Sequence, residues 1–180
     1  MLLPFLAALA AVGCTVDGAD TPPEPDAGST CDPGSSPDGS CRSPVSATVS
    51  RIVDGDTLEA AVDGGGDETV RLLGVDAPET DEGACGSRAE SWLRTRLPTG
   101  TRVALSFDAE CVDRYDRTLA YVRDDAGFVN AALVAEGQAE ACPYEPNTTY
   151  TDYLACLEGE ASSADAGLWA IGCHLDPCFE

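Results

Sequence analysis

Apolar positions in the middle of this chain fall into short alternating runs, punctuated by glycine, proline and aspartate. Ala47-Val49-Ile52 and Leu58-Ala60-Val62 are separated by Asp54-Gly55-Asp56 and followed by Gly64-Gly65-Gly66, the pattern of two hairpin strands. Thr69 to Val75 reads as a third strand, nearly continuous in apolar residues, which leaves the sheet at Asp76-Ala77-Pro78-Glu79 because Pro78 lacks a backbone donor. Ser87-Arg88-Ala89-Glu90 has the form of a capping box, and Ala89, Trp92, Leu93 and Leu97 follow at helical spacing until Pro98 and Gly100. Val103–Phe107 and Thr118–Val122 supply two more strands. Val129–Ala135 reads as a short helix closed by Gly137, and Tyr150–Ala166 as a longer one burying Tyr153, Leu154, Leu157 and Ala161. Five strands with a helix between the third and fourth, and three helices in all, predict an α+β chain built on a five-stranded OB-fold barrel.

The flanks differ. Leu2 to Val12 is apolar apart from Pro4, too short to span a membrane and suited to the core of a secretory signal. Ala-Val-Gly-Cys at its end resembles a bacterial lipobox, so residues 1–13 are expected to be a lipoprotein-type signal with the lipid carried on Cys14. Residues 14–45, rich in Pro, Gly, Asp and Ser, are expected to be a disordered tether. Residues 46–170 form the folded domain and 171–180 a cysteine-bearing tail. The localisation that follows is export, with a lipid anchor to a bacterial membrane facing periplasm or exterior, or otherwise secretion.

Cysteine usage agrees with export. Of nine cysteines, setting Cys14 aside leaves an even set, as disulfides formed in an oxidising compartment require. The sequence-near pairing is Cys31–Cys41, Cys85–Cys111, Cys142–Cys156 and Cys173–Cys178, one of 105 arrangements open to eight cysteines. With no C-x-x-C pair and His174 the only histidine, a zinc site, a histidine-based nuclease and a Ser-His-Asp hydrolase are all unsupported.

Charge opposes the chemistry that the motifs suggest. The chain holds ten arginines, no lysine and 32 acids, a formal charge of −22. Six acids and Arg42 precede Ser46, so the domain itself remains strongly acidic. A protein that grips nucleic acid through its backbone is normally basic. Any such partner must therefore be held by a local cationic cluster and a bound metal.

That cluster is visible. Asp54, Asp56, Asp76 and Glu79 flank β-prone runs, and a hard cation such as Ca2+ takes carboxylate and carbonyl oxygens. Arg71 lies among them, and Asp113-Arg114-Tyr115-Asp116-Arg117 brings two further guanidinium forks, which match phosphate geometry. Taken singly, Asp54 is a turn residue, and Arg88, Arg102 and Arg114 are surface charges. Trp92 and Tyr121 read as core, and Trp169 as a plug where the last helix closes on the barrel. His174 has no assignable role. Together, Asp56, Asp76, Glu79, Arg71 and Arg117 are expected of a metal-assisted phosphodiester site.

Residues 46 to about 170 resemble the staphylococcal (micrococcal) nuclease family. The resemblance runs through V-D-G-D-T, V-R-L-L-G-V-D-A-P-E, D-R-Y-x-R-T-L-A-Y-V, V-N-x-x-L-V-x-x-G-x-A and G-L-W, in that order. It implies an OB barrel with three helices, Ca2+ held by Asp56, Asp76 and the carbonyl of Ala77, and Glu79 as general base. It implies Arg71 and Arg117 on the scissile phosphate, with Tyr115, Arg114 and Tyr144 lining the nucleotide pocket. The activity implied is hydrolysis of DNA and RNA, single-stranded or frayed, to 3′-phosphate products by a monomer. Asp116 stands where the family commonly has glycine; a carboxylate there could pair with Arg114 or Arg117 and blunt phosphate binding, and it forbids any conformation that only glycine tolerates. Two other readings compete with a nuclease: a binding module of the same fold, and a surface protein whose Ca2+ is structural.

Overall fold

The computed structural model describes residues 29–80, 82–173 and Cys178. The signal segment, Cys14, the first half of the expected tether and His174 lie outside the described residues.

Strands β1 (Val45–Ile52), β2 (Thr57–Val62) and β3 (Asp67–Leu72) form an antiparallel meander. The short β4 (Val75–Asp76) and helix α1 (Ala84–Arg96) lead to β5 (Arg102–Ser106), which pairs with β1. Strand β6 (Thr118–Asp124) pairs antiparallel with β5 and parallel with β3, through Val70↔Thr118, Arg71↔Leu119 and Leu72↔Ala120. The order β3-β2-β1-β5-β6 thereby closes on itself. This is the five-stranded barrel with three helices that the apolar pattern predicts.

The remaining elements close one flank. Strand β7 (Gly127–Phe128) forms a hairpin with β6 and runs into α2 (Val129–Ala135), then β8 (Glu140–Ala141), α3 (Thr151–Ser163) and a 3-10 turn at Trp169–Ile171. Alternation along β1 and β2 puts Ala47, Val49, Leu58 and Ala60 inside. Leu93 of α1, Leu97 at its C-terminal cap, Leu133 of α2 and Leu154 of α3 cover the barrel with no more than traces of exposure. Each such leucine contributes about 1.5–3 kcal/mol relative to an exposed one. Asn130, wholly buried, receives the Val122 amide on Oδ1 (2.9 Å) and donates Nδ2 to the Leu73 carbonyl (2.8 Å), fixing α2 to the barrel.

Several expectations need correction. The third strand breaks at Leu73-Gly74, where Gly74 takes φ 75°, and the chain resumes as β4 paired with β8. The capping box is not used: α1 begins one turn earlier at Ala84, after Gly83 with φ 70°, and Ser87 lies inside the first turn donating its amide to Gly83. Leu168 rather than Trp169 is the buried residue behind α3, and Trp92 is half-buried with its Nε1 donating to Glu136.

The disulfides differ from the sequence-near pairing in every bond. They join Cys31–Cys156, Cys41–Cys111, Cys85–Cys173 and Cys142–Cys178, with Cα separations of 5.6–6.0 Å. The barrel brings these distant positions within the range that a disulfide spans. Two of the bonds also place residues 29–44 on the domain. Cys31 is buried against α3, Thr30 donates to Glu160, and Cys41 donates its amide to Asp108. The described part of the expected tether is thus a docked segment.

Candidate active site

The turn between β1 and β2 supplies the first acid. Asp54 accepts the Asp56 amide on Oδ1 (3.1 Å), the turn role its residue type implies. Asp56 is buried, with 6% exposure, and its oxygens are organised from three sides. Thr57 Oγ1 donates to Oδ1 (3.0 Å), while the Ala77 amide (2.9 Å) and Arg71 Nη1 (3.0 Å) reach Oδ2. Gly55 makes this approach possible. A Cβ there would lie 2.6 Å from Ala77 Cβ and 2.7 Å from Ala89 Cβ, wedging apart the turn, the Asp76-Ala77 segment and α1.

Arg71 is the centre of the constellation. The extended β3 register aims it at the chain reversal, where Nη1 donates to the Leu72 (3.1 Å) and Val75 (2.8 Å) carbonyls. Nη2 donates to Asp76 Oδ1 at 2.7 Å. One buried guanidinium therefore bridges both aspartates, which are 20 positions apart in sequence.

The charges do not balance. Burial pushes the Asp56 carboxyl up, and the nearby charges of Asp54 and Asp76 add to that against Arg71 and the Ala77 amide. Burial also raises Asp76, with Arg71 and Arg117 opposing it and Asp54 reinforcing it. Glu79 is raised by partial burial, then by Asp54, Asp76 and Glu82, with Arg71 opposing. Four carboxylates thus share one field around a single close cation. This is the donor set and charge deficit that a hard dication relieves, so the residues present fit Ca2+.

Arg117 stands on the other side. Its Nε donates to Asp113 Oδ2 at 2.7 Å, and Asp113 Oδ1 accepts the Tyr115 and Arg117 amides. Arg71, Val75, Asp113, Arg117 and Tyr144 border one crevice. It shares Asp113, Arg117 and Tyr144 with a cavity of about 460 Å³, which Arg114, Tyr115, Pro143, Glu145 and Cys178 also line. The Tyr115 ring is 64% exposed, with the guanidinium of Arg114 4.8 Å and that of Arg117 5.5 Å from its centroid.

The structure therefore brings Asp56, Asp76, Ala77, Arg71 and Glu79 together, and places Arg117, Tyr115, Arg114 and Tyr144 along an adjoining cavity. The pairing expected of Asp116 is a correction. Its side chain is exposed, and the partner of Arg117 is Asp113. Asp116 itself sits at φ 62°, the left-handed conformation in which glycine is favoured. Sequence reasoning missed Asp113, whose place at the head of a D-R-Y-D-R turn was the available signal. It also missed Gly55 and the cavity-lining place of Cys178, whose parts depend on contacts distant in sequence. Arg88 and Arg102 are surface residues, Arg102 paired with Asp63.

A family model described as staphylococcal nuclease homologue matches residues 69–171. A thermonuclease of Staphylococcus intermedius is 39% identical over 126 residues, covering 67% of this chain and 74% of that protein. A thermonuclease of Staphylococcus hyicus is 34% identical over 127 residues, covering 68% and 74%. The endonuclease YncB of Bacillus subtilis is 38% identical over 133 residues, 70% of this chain, and the match spans 62% of its length.

Proposed function

This chain belongs to the staphylococcal nuclease family, and we propose from that premise that it is an exported, Ca2+-dependent endonuclease acting on DNA and RNA. The observation that carries the reading is the Arg71 bridge, which holds Asp56 and Asp76 side by side in a site with more negative charge than its one close cation offsets. Asp56 and Asp76 would hold Ca2+ together with the carbonyl of Ala77. Bound there, the ion supplies Lewis-acid stabilisation of charge on the phosphate.

The protein groups do the rest. Glu79, its carboxyl raised above the ordinary range by partial burial, takes a proton from the attacking water. Arg71 and Arg117 present guanidinium donors to the phosphate as charge accumulates on its oxygens. The water oxygen bonds to phosphorus, the bond to the 5′-oxygen breaks, and that oxygen takes up a proton, leaving a 3′-phosphate on the other fragment. Tyr115 offers an exposed ring to a base, with Arg114 and Tyr144 beside it. Splayed single strands or frayed ends suit such a pocket, and a monomer contains every group. The four disulfides support export, and Cys14 in its lipobox-like context supports a lipid anchor.

The test is hydrolysis of single-stranded DNA by the oxidised protein, with Ca2+ against EGTA, across a range of salt. Cleavage should require Ca2+, leave 3′-phosphate ends, and accelerate as added salt screens the acidic surface. Metal-independent cleavage or 5′-phosphate ends would overturn the reading. Ca2+ and nucleotide binding without cleavage would favour the binding module instead.

A further inference from the structure

Both C-terminal disulfides land beside the site. Cys85, in the first turn of α1, binds Cys173, and the next residue, Gly86, packs directly on the backbone of Glu79. Cys142 follows β8, which pairs with the β4 strand carrying Asp76, and its amide donates to the Gly74 carbonyl at 2.8 Å. The sulfurs of Cys142 and Cys178 and a carboxylate oxygen of Asp76 lie within 4.8 Å of one another. Cys178 also lines the cavity that holds Tyr115, Tyr144 and Pro143. No other described residue from beyond α3 lines it.

A disulfide is apolar and polarisable, and sulfur against a ring is a favourable contact. In a cavity whose charged groups are Arg114, Arg117, Asp113 and Glu145, the two tyrosines, Pro143 and the Cys178 half of the disulfide form the apolar part. Phosphate has no use for that part, whereas a nucleobase does. We infer that the Cys142–Cys178 disulfide is a specificity-determining wall of the cavity, contributing an apolar face to a bound base while leaving phosphate recognition to the arginines. The inference rests on the cavity being the nucleotide pocket of the proposed nuclease. It concerns binding, so it is tested without turnover.

Two double variants separate a wall from a mere strap. Cys142→Ser/Cys178→Ser removes the bond and the apolar surface, and Cys142→Val/Cys178→Val removes the bond but keeps apolar side chains. Cys85–Cys173 and the other two disulfides remain in both. Calorimetry with Ca2+ present measures binding of deoxythymidine 5′-monophosphate and of inorganic phosphate, with melting curves to confirm folding. The serine pair should bind the nucleotide about fivefold more weakly, the scale of losing part of a stacking surface. Its phosphate affinity should be unchanged, and the valine pair should recover most of the nucleotide affinity. Equal losses for both ligands, or for both variants, would assign the disulfide to stability alone and overturn the inference. A wild-type protein that cleaves DNA but binds neither ligand would overturn it while leaving the nuclease reading intact.

Discussion

Gly86 packs so closely on Glu79 that a Cβ added to it would overlap the Glu79 carbonyl oxygen. The first turn of α1 therefore rests on the backbone of the proposed general base, and Cys85 anchors that turn to Cys173. Position 86 tolerates no side chain without moving Glu79.

Gly86→Ala should accordingly act on catalysis through geometry. A displacement of about 1 Å at a reacting group can cost about a hundredfold in rate. We expect kcat to fall by at least about tenfold, while the Ca2+ affinity of a protein that still has Asp56 and Asp76 changes little. Steady-state kinetics beside Ca2+ titration distinguish this from general unfolding, which would lower both.

Arg71 offsets two carboxylates, so its loss should destabilise the protein most when no metal is present. Breaking a buried ion pair by removing one partner costs about 3–5 kcal/mol. Arg71→Met should lower the melting temperature strongly in EGTA, and Ca2+ should restore more of the loss than it adds to the wild type. Equal Ca2+ stabilisation of both proteins would show that the aspartates do not share the ion.

Asp113 gives a pH signature. Burial pushes its carboxyl up, but hydrogen bonds from the Arg117 and Tyr115 amides and the Arg117 guanidinium outweigh this and hold it below the ordinary value. A folded pKa below the unfolded one stabilises the protein fully above the unfolded value, near pH 3.8, and the contribution disappears as pH falls through the folded pKa. Asp113→Asn should be less stable than wild type at neutral pH, and the gap should close in acid. Denaturant melts at a series of pH values check this.

Asp116 holds a left-handed conformation with an exposed carboxylate next to Arg117. Asp116→Gly removes both the conformational cost, about 1 kcal/mol before the entropy of glycine is deducted, and a charge that repels phosphate. The variant should be at least as stable as wild type and about two- to threefold faster on DNA in dilute salt, the advantage fading as salt screens it. A rate advantage that persists at high salt would point to geometry rather than charge.

The sequence by itself determined what depends on near neighbours. Alternation placed the barrel strands, helical spacing placed α1–α3, and Asp54 was legible as the turn residue that orders Asp56. The family motifs named the carboxylates and arginines because each lies within one short segment. The tertiary structure decided what needs two distant segments to meet. Barrel closure through β3 and β6 sets Arg71 beside strand β6, and the break at Gly74 turns Asp76 back onto its guanidinium. The disulfide pairing belongs to the same class. A disulfide needs Cα atoms about 6 Å apart, and only the finished fold brings Cys31 to Cys156 or Cys142 to Cys178. Arg117 illustrates the limit most sharply. Both Asp113 and Asp116 lie within reach along the chain, yet the turn directs one carboxylate inward onto the guanidinium and the other into solvent.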